Sequence, residues 1–384
     1  MAFPRISSAN PKRVLVIRVG ALGDTLMVTP LLRLMHKRHP ETEIDLLVSG
    51  LAAPLLRFNH HFNNLYTLCS RNLPIALSPE KRHLIRQLRA RRYDLALLLE
   101  SAPRYRRLLY RIRPVTAISF KEAGFDARKH VIVNFLHVAG IHAYSPEDLN
   151  MELPLSADDD AFAGKILRDL PRPIIGIHVG WGPRGQKKHQ ESRLRGWNHK
   201  NFVRLIHNIL EHTDASMILT GSQEDVNDTK RIHRIVSNPR LHSIAGLTRI
   251  RELASVIKNL DLLVSVDSGP GHMAAAVGTP LVVLWGPGWL SQTRPISNIA
   301  PIRVLHHTVP CAPCQITPLQ KSCRRNICME AITPEEVFAE IQKLLSQSEE
   351  GLIKNGSIEF AGKSAKPLQG YIRSIAAMSS SGVT

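Results

Sequence analysis

Short apolar runs alternate with amphipathic stretches along most of this chain. In the first half, Val14–Val19, Glu43–Leu47, Leu95–Leu99 and Val115–Ile118 are short and rich in β-branched residues or leucine, so they predict strands. In the second half, Ile174–Val179, Ser216–Thr220, Leu262–Ser265 and Leu281–Trp285 read the same way. Between them, Thr25–His39, Asn201–His212, Glu224–Val236 and Pro334–Leu345 place apolar residues at helical spacing. Buried strands alternating with helices predict parallel sheets covered on both faces. The expected fold class is α/β, with two doubly wound Rossmann-like domains. Tyr144–Asp160, with two prolines and the acidic run Asp158–Asp160, reads as the linker. Residues 13–150 then form an N-terminal domain and 151–346 a C-terminal one. Residues 1–12 and 347–384 hold too few clustered apolar residues to bury much and are expected to be loosely ordered.

Two glycine-bearing turns follow strands and open helices. The first is Gly20-Ala21-Leu22-Gly23-Asp24, leading into Thr25. The second is Asp267-Ser268-Gly269-Pro270-Gly271-His272. A helix N-terminus presents unpaired N–H groups and partial positive charge, and glycine lets phosphate approach that backbone. The second turn therefore reads as an anion seat at the carboxyl edge of a sheet, where open α/β folds bind ligands. It also reads as an ordinary turn capped by Asp267 or Ser268. In the first turn a carboxylate would repel phosphate. Asp24 either caps the helix or serves as a base facing an acceptor hydroxyl. Neither turn carries the G-x-G-x-x-G dinucleotide fingerprint, which ranks a nicotinamide enzyme low.

Together these segments resemble glycosyltransferase family 9, the lipopolysaccharide heptosyltransferases. The N-terminal likeness rests on Ile17 to Pro30, with Gly23-Asp24 and Pro30. The C-terminal likeness rests on Asp267, Ser268, Gly269, His272, Ala274 to Ala276, Gly278, Pro280 and Gly286-Pro287. It extends from about Arg13 to about Leu345. The resemblance implies a GT-B architecture, two Rossmann-like domains facing across a cleft. It also implies an inverting transfer of heptose from ADP-heptose to the lipopolysaccharide inner core. Asp24 would be the general base, with Gly20, Gly23 and Thr25 shaping its turn on the acceptor side. Asp267, Ser268, Gly269, Gly271 and His272 would hold the nucleotide diphosphate, and Gly286 and Pro287, beside Trp285, would border the nucleotide base. In the family a basic residue, usually lysine, stands two before a tryptophan; here it is Arg195 before Trp197. Arginine keeps the charge and can grip a diphosphate bidentately, but it cannot act as a neutral amine. The preceding loop adds Arg184, Lys187, Lys188 and Arg193 as further candidate phosphate ligands.

Charge and cysteines refine the picture. The chain carries 50 Lys+Arg against 32 Asp+Glu, a formal net charge of +18. Residues 1–150 hold 23 basic and 11 acidic side chains, a net of +12, which points to an anionic partner for the first half. Lys81–Arg92 and Arg104–Arg113 concentrate the excess on two amphipathic stretches. These read either as solvated helix faces or as a surface for an anionic membrane carrying a glycolipid acceptor. No nucleic-acid-binding motif accompanies them, so nucleic acid is not expected as a partner. No apolar run reaches the ~18 residues of a spanning helix, and the first residues lack a signal-peptide core. The expected place is the cytoplasm, peripheral to the inner membrane. Cys311, Cys314, Cys323 and Cys328 cluster as C-x2-C, then two looser intervals, which allows a structural zinc, reduced thiols or disulfides. Some members of the family carry a similar cluster ending Cys-Met, which favours a structural clip. Catalysis itself needs no cofactor if basic groups hold the diphosphate. The rival readings are a GT-B transferase with another donor or acceptor, and a nucleotide-sugar or polyanion binder without turnover.

Overall fold

The computed structural model describes residues 11–180, 194–315, 317–349 and 358–361. Two parallel sheets organise them. The first has five strands: β1 (Arg13–Arg18), β2 (Glu43–Ser49), β3 (Asn64–Leu68), β4 (Leu95–Leu98) and β5 (Thr116–Ser119), in the order β3-β2-β1-β4-β5. The second has seven: β6 (Ile174–His178), β7 (Ser216–Thr220), β8 (Leu241–Ser243), β9 (Leu262–Val266), β10 (Leu281–Leu284), β11 (Ile302–Leu305) and β12 (Ile358–Ala361). Their order is β12-β11-β10-β9-β6-β7-β8. In each sheet the order reverses beside the first strand. That places a crevice at the carboxyl ends of β1 and β4 in one sheet, and of β6 and β9 in the other.

The central strands are buried through most of their length. Val14 to Ile17 of β1 are fully buried, as are all residues of β6, β7, β9 and β10. Strands lying between helices on both faces have no polar side to show. β3, β8, β11 and β12 were not expected. β3 mixes exposed and half-buried positions and buries only its last residue, Leu68, β8 spans three residues, and β12 falls within the stretch expected to be loose.

The long N-terminal helix expected over Thr25–His39 is two helices, Leu22–Leu26 and Thr29–Arg38, the second with Pro30 in its first turn. Proline has no N–H to continue the first helix, but its fixed φ suits the start of a new one. The expected acidic linker is also more ordered than its composition suggested. Asp158, Asp159 and Asp160 form the first turn of the helix Ala157–Leu167, where carboxylates complement the helix dipole. Asp159 closes a capping box with Ser156 and pairs with Arg251, while Asp160 accepts from Ser255 Oγ at 2.8 Å and Lys258 Nζ at 3.1 Å. The last long helix runs Pro334–Glu349, past the expected stop.

One apolar cluster crosses from lobe to lobe. Val16, Leu26 and Leu31 of the first lobe share it with Met273, Ala274 and Trp285 of the second. It fixes the two glycine turns relative to each other.

Candidate active site

β1 ends at Arg18, and the chain turns through Gly20 into the helix Leu22–Leu26. A side chain on Gly20 would overlap the Asp24 Cβ, so this turn requires glycine. Ser49 Oγ donates to the Gly20 carbonyl at 2.8 Å, and Thr25 Oγ1 donates to Ala21 O at 3.0 Å. Thr25 is fully buried and supports the turn from within.

Asp24 takes the first of the two roles its position suggested, closing the helix start. Its Oδ2 accepts the Ala21 N–H at 2.9 Å, closing the first turn. Its Oδ1 accepts from Arg18 Nη2 at 2.6 Å, and the side chain keeps 32% of its surface exposed. Burial pushes the carboxyl upward, but Arg18, the Ala21 N–H and His272 outweigh it and hold it below the usual carboxylate range. The carboxylate is therefore ionised and reachable.

Opposite stands the helix Gly269–Val277. Ser268 occupies its N-cap position without capping it; Ser268 Oγ instead meets Ser265 Oγ at 3.0 Å. The simple reading of a turn capped by Ser268 therefore fails, and among the described residues no side-chain cap is seen at this helix start. The Gly271 N–H turns back onto Ser268 O at 3.2 Å, and a Cβ at Gly271 would meet only ordinary contacts. At Gly269, by contrast, a Cβ would come within 3.0 Å of Leu22 Cβ. The two turns pack directly against each other.

Asp267 and His272 are buried, at 7% and 5% exposure. Burial pushes the Asp267 carboxyl up, and Arg195 counteracts it. Arg195 Nη1 donates to the Asp267 carbonyl at 3.3 Å and lies 3.9 Å from its carboxylate. Burial drives His272 down to about 4, against the pull of Asp24, so its ring is neutral near pH 7. His272 Nδ1 is buried and has no hydrogen-bond partner among the described residues.

The remaining expected residues are placed as follows. A side chain at Gly286 would strike Met329, and the Pro287 carbonyl accepts from the N–H groups of Cys314 and Gln315 at 3.1 and 3.0 Å. Both are buried and seat the cysteine segment. Trp285 is fully buried with its indole N–H on Gly288 O, so it belongs to the core and not to a base-binding wall. Arg184, Lys187, Lys188 and Arg193 lie outside the described residues. Cys311, Cys314, Cys323 and Cys328 are free thiols. Burial raises Cys314, with Cys311 and Cys323 adding to it, and pushes Cys328 up to about 11. Among the described residues no group of three or more His, Cys, Asp or Glu is arranged to hold a metal ion.

Sequence reasoning missed Arg18, Glu100 and His130. Arg18 and Glu100 each close an apolar strand run at a sheet's carboxyl edge, and a charge at that position is itself a signal. His130 is buried, held down to about 3 by burial, and its Nε2 lies 2.9 Å from Arg294 O of the other lobe.

Two doubly wound α/β lobes, meeting where a carboxylate turn of one packs on a helix start of the other, are the architecture of the GT-B class. Residues 81–322 match the model of glycosyltransferase family 9 (heptosyltransferase). Lipopolysaccharide heptosyltransferase 3 of Escherichia coli K12 is 28% identical over 289 residues, 69% of this chain and 79% of the relative. Among solved structures, the E. coli ADP-heptose lipopolysaccharide heptosyltransferase II superposes with a TM-score of 0.67 at 22% identity, covering 88% of this chain and 99% of that one. The E. coli heptosyltransferase WaaC with ADP-2-deoxy-2-fluoro heptose gives a TM-score of 0.60 at 16% identity, covering 86% and 99%. The chain belongs to glycosyltransferase family 9, and it is an enzyme of that family.

Proposed function

We propose that this enzyme moves a heptose from ADP-heptose to a hydroxyl of the lipopolysaccharide inner core with inversion, and that Asp24 is the general base. The observation that carries the reading is the half-exposed, ionised Asp24 carboxylate set across from an uncapped helix N-terminus on the other lobe. The acceptor hydroxyl gives its proton to Asp24 as its oxygen attacks the anomeric carbon. The bond from that carbon to the diphosphate breaks, and its electrons leave with ADP. Charge growing on the diphosphate is met by the positive end of the helix Gly269–Val277 and by the Arg195 guanidinium. Neutral His272 adds a hydrogen-bonding group there without a charge. The relatives named above, one bound to an ADP-heptose analogue, support this donor and acceptor.

The acceptor side fits an anionic glycolipid at the cytoplasmic face of the inner membrane. Arg82, Arg86, Arg89, Arg104, Arg107 and Arg111 are exposed on the helices Pro79–Ala90 and Pro103–Ile112. Each basic group near an anionic surface contributes about 1 kcal/mol. No helix among the described residues is long and apolar enough to cross a membrane. Co-sedimentation with anionic but not zwitterionic vesicles, lost at high salt, is the expected result.

The central experiment pairs turnover with binding. Asp24→Asn should lose about 10²–10⁴-fold in kcat while ADP still binds. Near-wild-type turnover in this variant would remove Asp24 from the base role. Failure of ADP-heptose, with transfer from another nucleotide sugar, would replace the donor.

A further inference from the structure

Three charged groups line the carboxyl edge of the first sheet. Arg18 Nη2 donates to Asp24 Oδ1 at 2.6 Å, and Nη1 donates to the Leu99 carbonyl at 2.8 Å. The same Nη1 lies 3.5 Å from Glu100 Oε1. The Arg18 and Glu100 side chains are 13% and 12% exposed. The Phe135 ring lies 5.2 Å from Arg18 Cζ and limits where the guanidinium can go. Glu100 Oε1 is buried and accepts no hydrogen bond among the described residues. A buried oxygen without a donor is costly, and Arg18 Nη1, which already donates to Leu99, stands 3.5 Å from it, while the Val19 N–H favours the charged carboxylate. Glu100 is thus a second seat for the same guanidinium.

We propose that Arg18 is a positioning residue shared by two carboxylates: it aims Asp24 while Asp24 is charged, and shifts its hydrogen bond to Glu100 once Asp24 holds the acceptor's proton. This rests on the reading of Asp24 as the base. During transfer the acceptor O–H bond breaks, the proton goes to Asp24, and the oxygen's electron pair forms the glycosidic bond. The bond between the anomeric carbon and the diphosphate breaks, and its electrons depart with the nucleotide. With Glu100 ionised, the Asp24–Arg18–Glu100 group passes from net −1 to net zero, and Glu100 is the anion left beside the guanidinium. Glu100 keeps the cation from binding Asp24 so tightly that proton uptake stalls.

The charges around the group agree. Burial pushes Glu100 up, and Arg18 draws it back. Asp24 is faced by Arg18 on β1 and by His272 on the opposite helix; Asp267 senses Asp24 from the strand end, with Arg195 behind it. Tyr105 lies by Arg18, and Arg104 lies by Glu100. All of these except Arg18 and Glu100 stay unchanged in the variants whose pH profiles are compared below.

The test is the pH profile of kcat/KM for wild type, Arg18→Gln, Arg18→Lys and Glu100→Gln, with ADP binding by calorimetry to confirm that each variant is folded. Removing the cation in Arg18→Gln should move the acid limb up by about 1–3 pH units. Arg18→Lys keeps the charge, so its limb should stay near that of wild type. Glu100→Gln should lower the plateau by about 10- to 100-fold without moving the limb upward. An Arg18→Gln limb identical to wild type, or a Glu100→Gln plateau identical to wild type, overturns the proposal. If Arg18→Gln does not bind ADP, the Arg18→Lys limb and the Glu100→Gln plateau decide alone: a displaced Lys limb or an unchanged Gln plateau rejects it. Asp24→Asn separates the two ideas. If it is inactive while the other profiles are unmoved, only the sharing of Arg18 fails; if it is active, the base reading fails and takes this one with it.

Discussion

Gly23 lies flat against the His272 ring, so close that a Cβ on residue 23 would fall within 3.0 Å of its carbon atoms, a separation real Cβ atoms do not show. One residue belongs to the turn that presents Asp24, the other to the helix that faces it, and their contact sets the distance between the two turns. Gly23→Ala should therefore cost about 1–3 kcal/mol of stability, the usual range for overpacking, and lower kcat/KM as well. In a His272→Ala background the same change should cost less, because the colliding ring is gone. Denaturant unfolding of the four proteins of this cycle checks the coupling; strictly additive losses would refute the contact.

His272 also sets an acid limit on stability. Its folded value of about 4 lies below the ordinary 6.5, so the unfolded chain binds its proton first as pH falls. Stability from this group is complete above pH 6.5 and is lost as pH falls toward 4, by at most about 3 kcal/mol. His178, also near 4, and His130, near 3, act in the same direction. Melting temperatures measured between pH 7.5 and pH 4.5 should decline over this window, and His272→Gln should flatten part of the decline.

Arg195 touches the Asp267 backbone and lies beside its carboxylate, ahead of the helix N-terminus. If it meets the leaving diphosphate, Arg195→Ala should reduce kcat by about 10²–10³-fold, as removal of a preorganised donor does elsewhere. Arg195→Lys should retain a larger share, since the charge survives and the bidentate grip does not. Steady-state kinetics with saturating acceptor distinguish the two; equal losses would mean that charge is not what matters.

Arg251 fastens the inter-lobe segment. It pairs with Asp159, donates to the Pro54 and Pro154 carbonyls at 3.3 and 3.1 Å, and stacks on Phe58 at 4.5 Å. Arg251→Ala leaves a buried carboxylate unpaired and should cost about 3–5 kcal/mol. Equilibrium unfolding in urea reads this directly, and a change under 1 kcal/mol would contradict the pairing.

The strands that could be read from sequence are those the fold buries on both faces. Val14–Ile17, Ile174–Ile177 and Leu281–Leu284 carry no polar side chain because no polar face exists for them. β3 and β8 were illegible because edge strands are short, mixed and half-exposed, and so resemble loops. The break between Leu26 and Thr29 was signalled by Pro30, whose ring suits a helix start better than a helix interior. Within the site, the two turns were legible because glycine beside a strand end is a local backbone requirement. The lining of Arg18 and Glu100 along one sheet edge was not, because it depends on β1 and β4 being neighbours. The position of Trp285 misled for the same reason: the sequence places it after a strand, and packing decides that it faces inward.

The apolar cluster holding Leu26 together with Met273 has a mechanical result. Separating the lobes at the turns would wet that cluster, at about 25 cal/mol for every Å² uncovered. A movement of the lobes that spares this cluster would have to pivot at the turns themselves. The Asp24 carboxylate and the N-terminus of the helix Gly269–Val277 sit beside that pivot, where such a movement would displace them least.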